Sequence, residues 1–187
     1  MAAQTQKQSI VLAYTGDGKG KTSAGIGLVA RSLGNGDRVA FVQFIKAWHV
    51  SEHAFFDAIK PVFPDRFVVY LGGRGFYNAG NLSAKEVTEA EHRQAARDAL
   101  AVATTHTQSG QYDLVVCDEI NNAVADGLLS VNQLRHLILD RHPATSLCIT
   151  GRNAPGELMP HIDIATSMEK IRHHYDDGFL AMKGLDY

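Results

Sequence analysis

Short runs of uninterrupted apolar residues, spaced by longer segments of mixed polarity, set the rhythm of this chain. Ser9 to Tyr14 (SIVLAY), Arg38 to Ile45 (RVAFVQFI), Arg66 to Gly72 (RFVVYLG), Tyr112 to Asp118 (YDLVVCD) and Thr145 to Thr150 (TSLCIT) are rich in β-branched and aromatic residues and are bounded by turn formers, which predicts strands. Ile162 to Met168 (IDIATSM) is a weaker sixth candidate. The spaces between them carry helical patterns. One helix is expected from Lys21 to Leu33, and the longest is expected to start at Ser83, where Ser83 and Glu86 form an S-x-x-E capping box before an alanine-rich stretch running to Gly110. Ser130 with Gln133 repeats that signature before LRHLILD. Strands that are continuously apolar and alternate with helices predict an α/β fold, a mainly parallel β-sheet sandwiched by helices, with ligands bound beyond the carboxyl ends of the strands. The turn-rich stretch Arg74 to Asn81 (RGFYNAGN) reads as a loop after a strand, placed to touch a ligand.

Composition narrows the classes. A chain of 187 residues with 45% hydrophobic content can bury a sizeable core, and one domain over residues 1–187 is expected, with 1–9 as a short polar arm. The formal net charge of -2 gives no global attraction to nucleic acid, so anionic ligands must be held by local devices. No apolar run reaches the roughly 18 residues of a membrane span, and MAAQTQKQS lacks the apolar region of an export signal, so a cytoplasmic protein without membrane partners is expected. Cys117 and Cys148 lie inside apolar stretches and read as reduced core residues.

The chemistry begins at Thr15 to Ser23, TGDGKGKTS. A phosphate-binding loop normally reads G-x-x-x-x-G-K-[ST], and here Thr15 takes the place of its first glycine. Gly16, Gly18 and Gly20 let the backbone turn tightly around an anion, with Asp17 between them, and the N-terminus of the following helix adds its positive dipole end. Lys19 and Lys21 supply cations; Thr22, followed by Ser23, supplies a hydroxyl suited to Mg2+. A second constellation, YDLVVCDEINNAV, ends a strand in Asp118 and Glu119 and continues to Asn121. One or both acids should meet Mg2+, directly or through water, unless they cap the next helix. These motifs specify polyphosphate binding and leave kinase, ATPase and transferase open.

Further motifs in order point to a family. TGDGKGKTSAG, QFIK (Gln43 to Lys46), VVCDEINNAVADGLL, TGRNAP (Thr150 to Pro155) and the tail HHYDDGFLAMKGLDY resemble the ATP:corrinoid adenosyltransferase family from about Ile10 to Tyr187, including its threonine-first loop. The resemblance implies a RecA-like P-loop nucleoside triphosphatase fold and transfer of the 5'-deoxyadenosyl group of ATP to the Co(I) of a corrinoid such as cobalamin, with triphosphate as leaving group. It implies Mg2+, a homodimer, and an electron donor such as a flavoprotein reductase. It also implies that Gly16 to Ser23, Gln43, Lys46, Trp48, Glu119, Asn121 and Arg152 bind the substrates, that Lys19 and Lys21 stabilise the departing charge, that Thr22 with Asp118 or Glu119 holds the metal, and that Phe76 and Tyr77 face the corrinoid.

The chain departs from the family pattern in three places. GFYN stands where GFTW is common, so Asn78 replaces a tryptophan; the arm before the first strand is short; and Glu169 stands where arginine is usual. A P-loop kinase or ATPase, which would release ADP, and a non-catalytic adenosylcobalamin carrier or sensor are the alternatives. His49 and His53, at i, i+4 spacing, read as ordinary surface histidines, as do His173 and His174.

Overall fold

In the computed structural model, residues 9–46, 50–75 and 87–186 are described. All six strand candidates form strands: β1 (Val11–Thr15), β2 (Val39–Gln43), β3 (Phe67–Leu71), β4 (Leu114–Asp118), β5 (Ser146–Thr150) and β6 (Ile164–Ser167). They pair in the order β3-β2-β4-β5-β1-β6, and every pairing is parallel. The helices are α1 (Lys21–Gly34), α2 (Ser51–Ile59), α3 (Glu89–Gln108), α4 (Ile120–Ala125) and α5 (Val131–Leu139).

Continuous apolar strands predict a sheet covered on both faces, and alternate residues of each strand do feed two separate cores. On β4, Val115 and Cys117 pack with Ala96, Ala99 and Ala103 of α3 and Leu134 and Ile138 of α5. Leu114 and Val116 point the other way, into a core with Val29 and Leu33 of α1 and Phe56 of α2. The alanines of α3 recur at spacings of three and four, which brings its backbone close to the sheet. Both cysteines are fully buried free thiols, and burial raises the pKa of each, so they behave as core residues. β6 differs, with all four residues exposed at the sheet edge.

The long helix corrects one expectation. It starts at Glu89 and not at Ser83, and Ser83 and Glu86 lie outside the described residues. The box that caps it is Thr88 with Glu91: the Thr88 N–H donates to Glu91 Oε2 at 2.8 Å and the Glu91 N–H to Thr88 Oγ1 at 3.3 Å. The Ser130 and Gln133 box forms as expected before α5. Among the described residues, no helix is long and apolar enough to cross a membrane.

Strand order fixes where chemistry converges. β1 and β4 carry the glycine loop and the acids, and β5 lies between them, so one residue at the end of β5 can reach both. That residue is Thr150.

Candidate functional site

The loop after β1 turns on two left-handed glycines, Gly16 at φ 91° and Gly20 at φ 105°. Gly20 is the N-cap of α1 and provides no side-chain cap, so the first-turn N–H groups face the loop without one. Lys21 folds back into that space, where its ammonium donates to the carbonyls of Gly16 and Gly18, both at 2.6 Å. Burial, with the neighbouring Arg152 guanidinium, holds the Lys21 pKa below its ordinary value. A cation that costs energy to keep charged and spends itself on two neutral carbonyls is poised to exchange them for an anion.

The chain leaving β6 forms one wall of the loop. The Gly18 N–H donates to the Met168 carbonyl at 2.7 Å. A Cβ on Gly16 would collide with the Met168 backbone, and one on Gly18 would lie 2.7 Å from the Glu169 carbonyl carbon. Two of the three loop glycines are therefore required by this close approach, a reason additional to anion binding. Lys19 turns toward Asp186, 3.1 Å away. Asp17 and Ser23 lie in the same loop and first helical turn.

Asp118, at the end of β4, is fully buried and surrounded by donors. Thr150 Oγ1 donates to its Oδ1 at 2.7 Å, and Gln43 Nε2 and Thr22 Oγ1 donate to its Oδ2 at 3.1 and 3.3 Å. Glu119 follows in the left-handed region at φ 64°, and its N–H donates to Thr150 Oγ1 at 2.9 Å. It occupies the N-cap position of α4 without making a side-chain cap. Its Oε2 is buried with no partner among the described residues, and burial, reinforced by the Asp118 carboxylate, pushes its pKa up to about 7. Asn121 is also fully buried, and neither Nδ2 nor Oδ1 has a partner among the described residues. Buried polar atoms left unpaired cost roughly 1–3 kcal/mol each and mark a place where a ligand, ion or water completes the set. Lys46 lies close by, bridged to Glu52 at 2.8 Å. Burial works against its charge, but Asp118, Glu119 and Glu52 outweigh that and raise its pKa.

The ATP:corrinoid adenosyltransferase BtuR/CobO/CobP family matches residues 7–187. The chain belongs to that family. Corrinoid adenosyltransferases from Pseudomonas aeruginosa and from a Sinorhizobium species are 31% and 30% identical to it, aligned over all of this chain and over 88% and 84% of their own lengths. A third, from Escherichia coli K12, is 27% identical over 99% of this chain and 89% of its own. An adenosyltransferase of this family must hold a nucleotide beside a corrinoid. The glycine loop, Lys21, Thr22, Gln43, Lys46, Asp118, Glu119 and Asn121 all lie at the carboxyl end of the sheet, where such a site is expected. Arg152 follows β5, is exposed, and has no ion pair among the described residues. Trp48, Phe76 and Tyr77, expected on the corrinoid side, lie outside the described residues, as do His49 and Asn78.

Three features of this adenosyltransferase were not anticipated. Thr150 links the two acids through one hydroxyl; its signals were its position at the end of a strand and at the head of TGRNAP. His53 is not a surface residue: it is 5% exposed, and its Nε2 lies 2.7 Å from Gln43 Oε1. Its signal was the spacing of three that puts it on the Phe56 face of α2. His173 and His174 are partly buried and converge on Asp186, at 4.0 and 3.3 Å. His173 Nδ1 accepts the Tyr175 N–H at 3.1 Å, which leaves the ring proton on the nitrogen facing Asp186. The cluster is thus a carboxylate ringed by donors, Lys19 among them.

Proposed function

We propose that this chain transfers the 5'-deoxyadenosyl group of ATP to the Co(I) of a corrinoid and releases the triphosphate whole. Co(I) contributes the electron pair of the new cobalt–carbon bond and becomes Co(III), while the C5'–O bond breaks with its pair passing to the triphosphate. Co(I) is already a potent nucleophile, so no general base is needed, and the protein's work is positioning and charge stabilisation. The observation that carries this reading is Lys21, half-buried on two carbonyls at the N-terminus of α1 and near an acid pair with a spare buried oxygen, in a chain of this family. On binding, Lys21 would leave Gly16 and Gly18 for the triphosphate, whose growing charge it would hold more tightly than the ground state.

Magnesium fits the donor set. Glu119, with an unpartnered oxygen, would be the direct carboxylate ligand, and Thr22 would add its hydroxyl. Asp118, whose oxygens already receive three donors, would orient the others. The ion would neutralise phosphate charge. We also infer a homodimer and an outside electron donor, such as a flavoprotein reductase, that delivers the corrinoid as Co(I).

The test is anaerobic incubation with ATP, Mg2+ and chemically reduced cob(I)alamin beside cobinamide, following the cobalt–carbon product and the inorganic product together. Alkylated corrinoid with triphosphate in equal amounts is expected. ADP with unaltered corrinoid would assign the site to phosphoryl transfer instead.

A further inference from the structure

A polar string crosses the core from α2 to the nucleotide loop. Its members are His53, Gln43, Asp118 and Thr22, and the first three are at most 5% exposed. Asp118 accepts all of its bonds, so the Gln43 amide must present its NH2 to Asp118 and not its oxygen; the flipped amide would set two acceptors face to face. The Gln43 side chain alone has no preference between the two orientations.

His53 holds the other end of the amide in the orientation that Asp118 demands. Its Nδ1 accepts the Val50 N–H at 3.4 Å, which puts the ring proton on Nε2, and Nε2 lies 2.7 Å from Gln43 Oε1. The Nε2–H therefore donates to Oε1, and the Gln43 NH2 is committed to Asp118 Oδ2 at 3.1 Å. That same oxygen receives the Thr22 hydroxyl at 3.3 Å. We infer that His53 is a positioning residue for the metal–nucleotide site: through its tautomer it sets the Gln43 amide, which aims the Asp118 carboxylate at Thr22. The inference rests on the reading above that Asp118 and Thr22 serve the bound nucleotide and its metal.

A histidine that merely filled its pocket would leave the metal site untouched when replaced by a group of similar size, and this separates the two roles. Mn2+ would be titrated in the presence of ATP and without corrinoid, reading free Mn2+ by its electron paramagnetic resonance signal. His53→Phe keeps bulk and removes the donor. It should weaken Mn2+ binding by up to about tenfold, the lower end of what losing a hydrogen-bond partner directly behind a metal ligand costs, because His53 acts through Gln43 and Asp118. Gln43→Leu should do the same, the double variant should bind no more weakly than either single one, and His53→Gln, which keeps an N–H, should recover most of the loss. Unchanged Mn2+ affinity in a folded His53→Phe protein, or additive losses in the double variant, would overturn the inference. Asp118→Asn separates the layers: if it too leaves Mn2+ binding intact, the reading of Asp118 fails, whereas a loss there without one in His53→Phe sinks His53 alone. Should His53→Phe not fold, nitrogen-15 spectra of wild-type imidazoles decide: the Nε2–H tautomer is expected, and Nδ1–H would overturn the chain.

Discussion

At the scale of single residues, two groups are held in charge states that their surroundings oppose. Lys21 loses solvent and gains only two carbonyls, so its charge is least comfortable when the site holds no anion. Lys21→Ala should lower the adenosylation rate by roughly a hundredfold to a thousandfold, the loss expected when one donor to developing charge is removed. Kinetics within about twofold of wild type would remove Lys21 from the reaction. Glu119 gives a signature in the free protein. Its pKa rises from 4.5 to about 7 on folding, so between those values the folded state holds more protons than the unfolded one. Stability should therefore fall as pH climbs from about 4.5 to about 7 and stay level, for this group, above that. Urea unfolding at pH 5 and pH 8 without nucleotide or metal measures it. Glu119→Gln should lose that part of the slope and be the more stable protein at pH 8, and an unaltered slope would mean that Glu119 is not desolvated.

At the scale of elements, the strands and α1 were legible because each announces itself locally, by an apolar run or by a glycine turn ahead of a helix. The placement of the glycine loop, Asp118 and Glu119 came with them, since strand ends in a parallel sheet meet along one edge. What stayed hidden depends on contacts between distant elements. His53 reads as polar in its own helix, and its partnership with Gln43 on β2 becomes visible once the two elements are packed. Nor does GDGKG disclose that the chain leaving β6 presses on the loop at Met168 and Glu169. That contact makes glycines of one segment differ in kind. Gly16→Ala meets both a left-handed φ of 91° and the Met168 backbone, and should destabilise by at least about 1–3 kcal/mol, with loss of nucleotide binding. Gly27→Ala, on the exposed side of α1 with nothing within 4 Å of the added carbon, should stabilise by about 0.5–1 kcal/mol and leave nucleotide binding unchanged. Urea midpoints report both, and equal effects at the two positions would contradict the wall formed by β6.

At the scale of the whole molecule, the segment after β6 has two sides with opposite character. Its inner side holds the loop through Gly18 to Met168 and Lys19 to Asp186, with His173 and His174 closing around the same carboxylate. Its outer side presents Ile171 at 98%, Leu180 at 81% and Leu185 at 80% exposure, alongside Tyr175, Phe179 and Met182. An ion pair open to solvent at one partner, as Lys19 is at 59% side-chain exposure, is worth only about 0–1 kcal/mol, whereas covering several large apolar side chains offers about 1.5–3 kcal/mol for each one fully buried. Under the homodimer proposed above, a second copy would cover this face and stiffen the wall of the glycine loop. Sedimentation velocity at micromolar protein should give a dimer. Ile171→Glu with Leu180→Glu should shift it to monomer and weaken ATP binding several-fold, because the wall behind Gly16 and Gly18 then loses its support. A wild-type protein that sediments as a monomer throughout that range would leave the apolar face without a second copy, and the segment would have to hold the loop through the Gly18–Met168 hydrogen bond and the Lys19–Asp186 pair without that support.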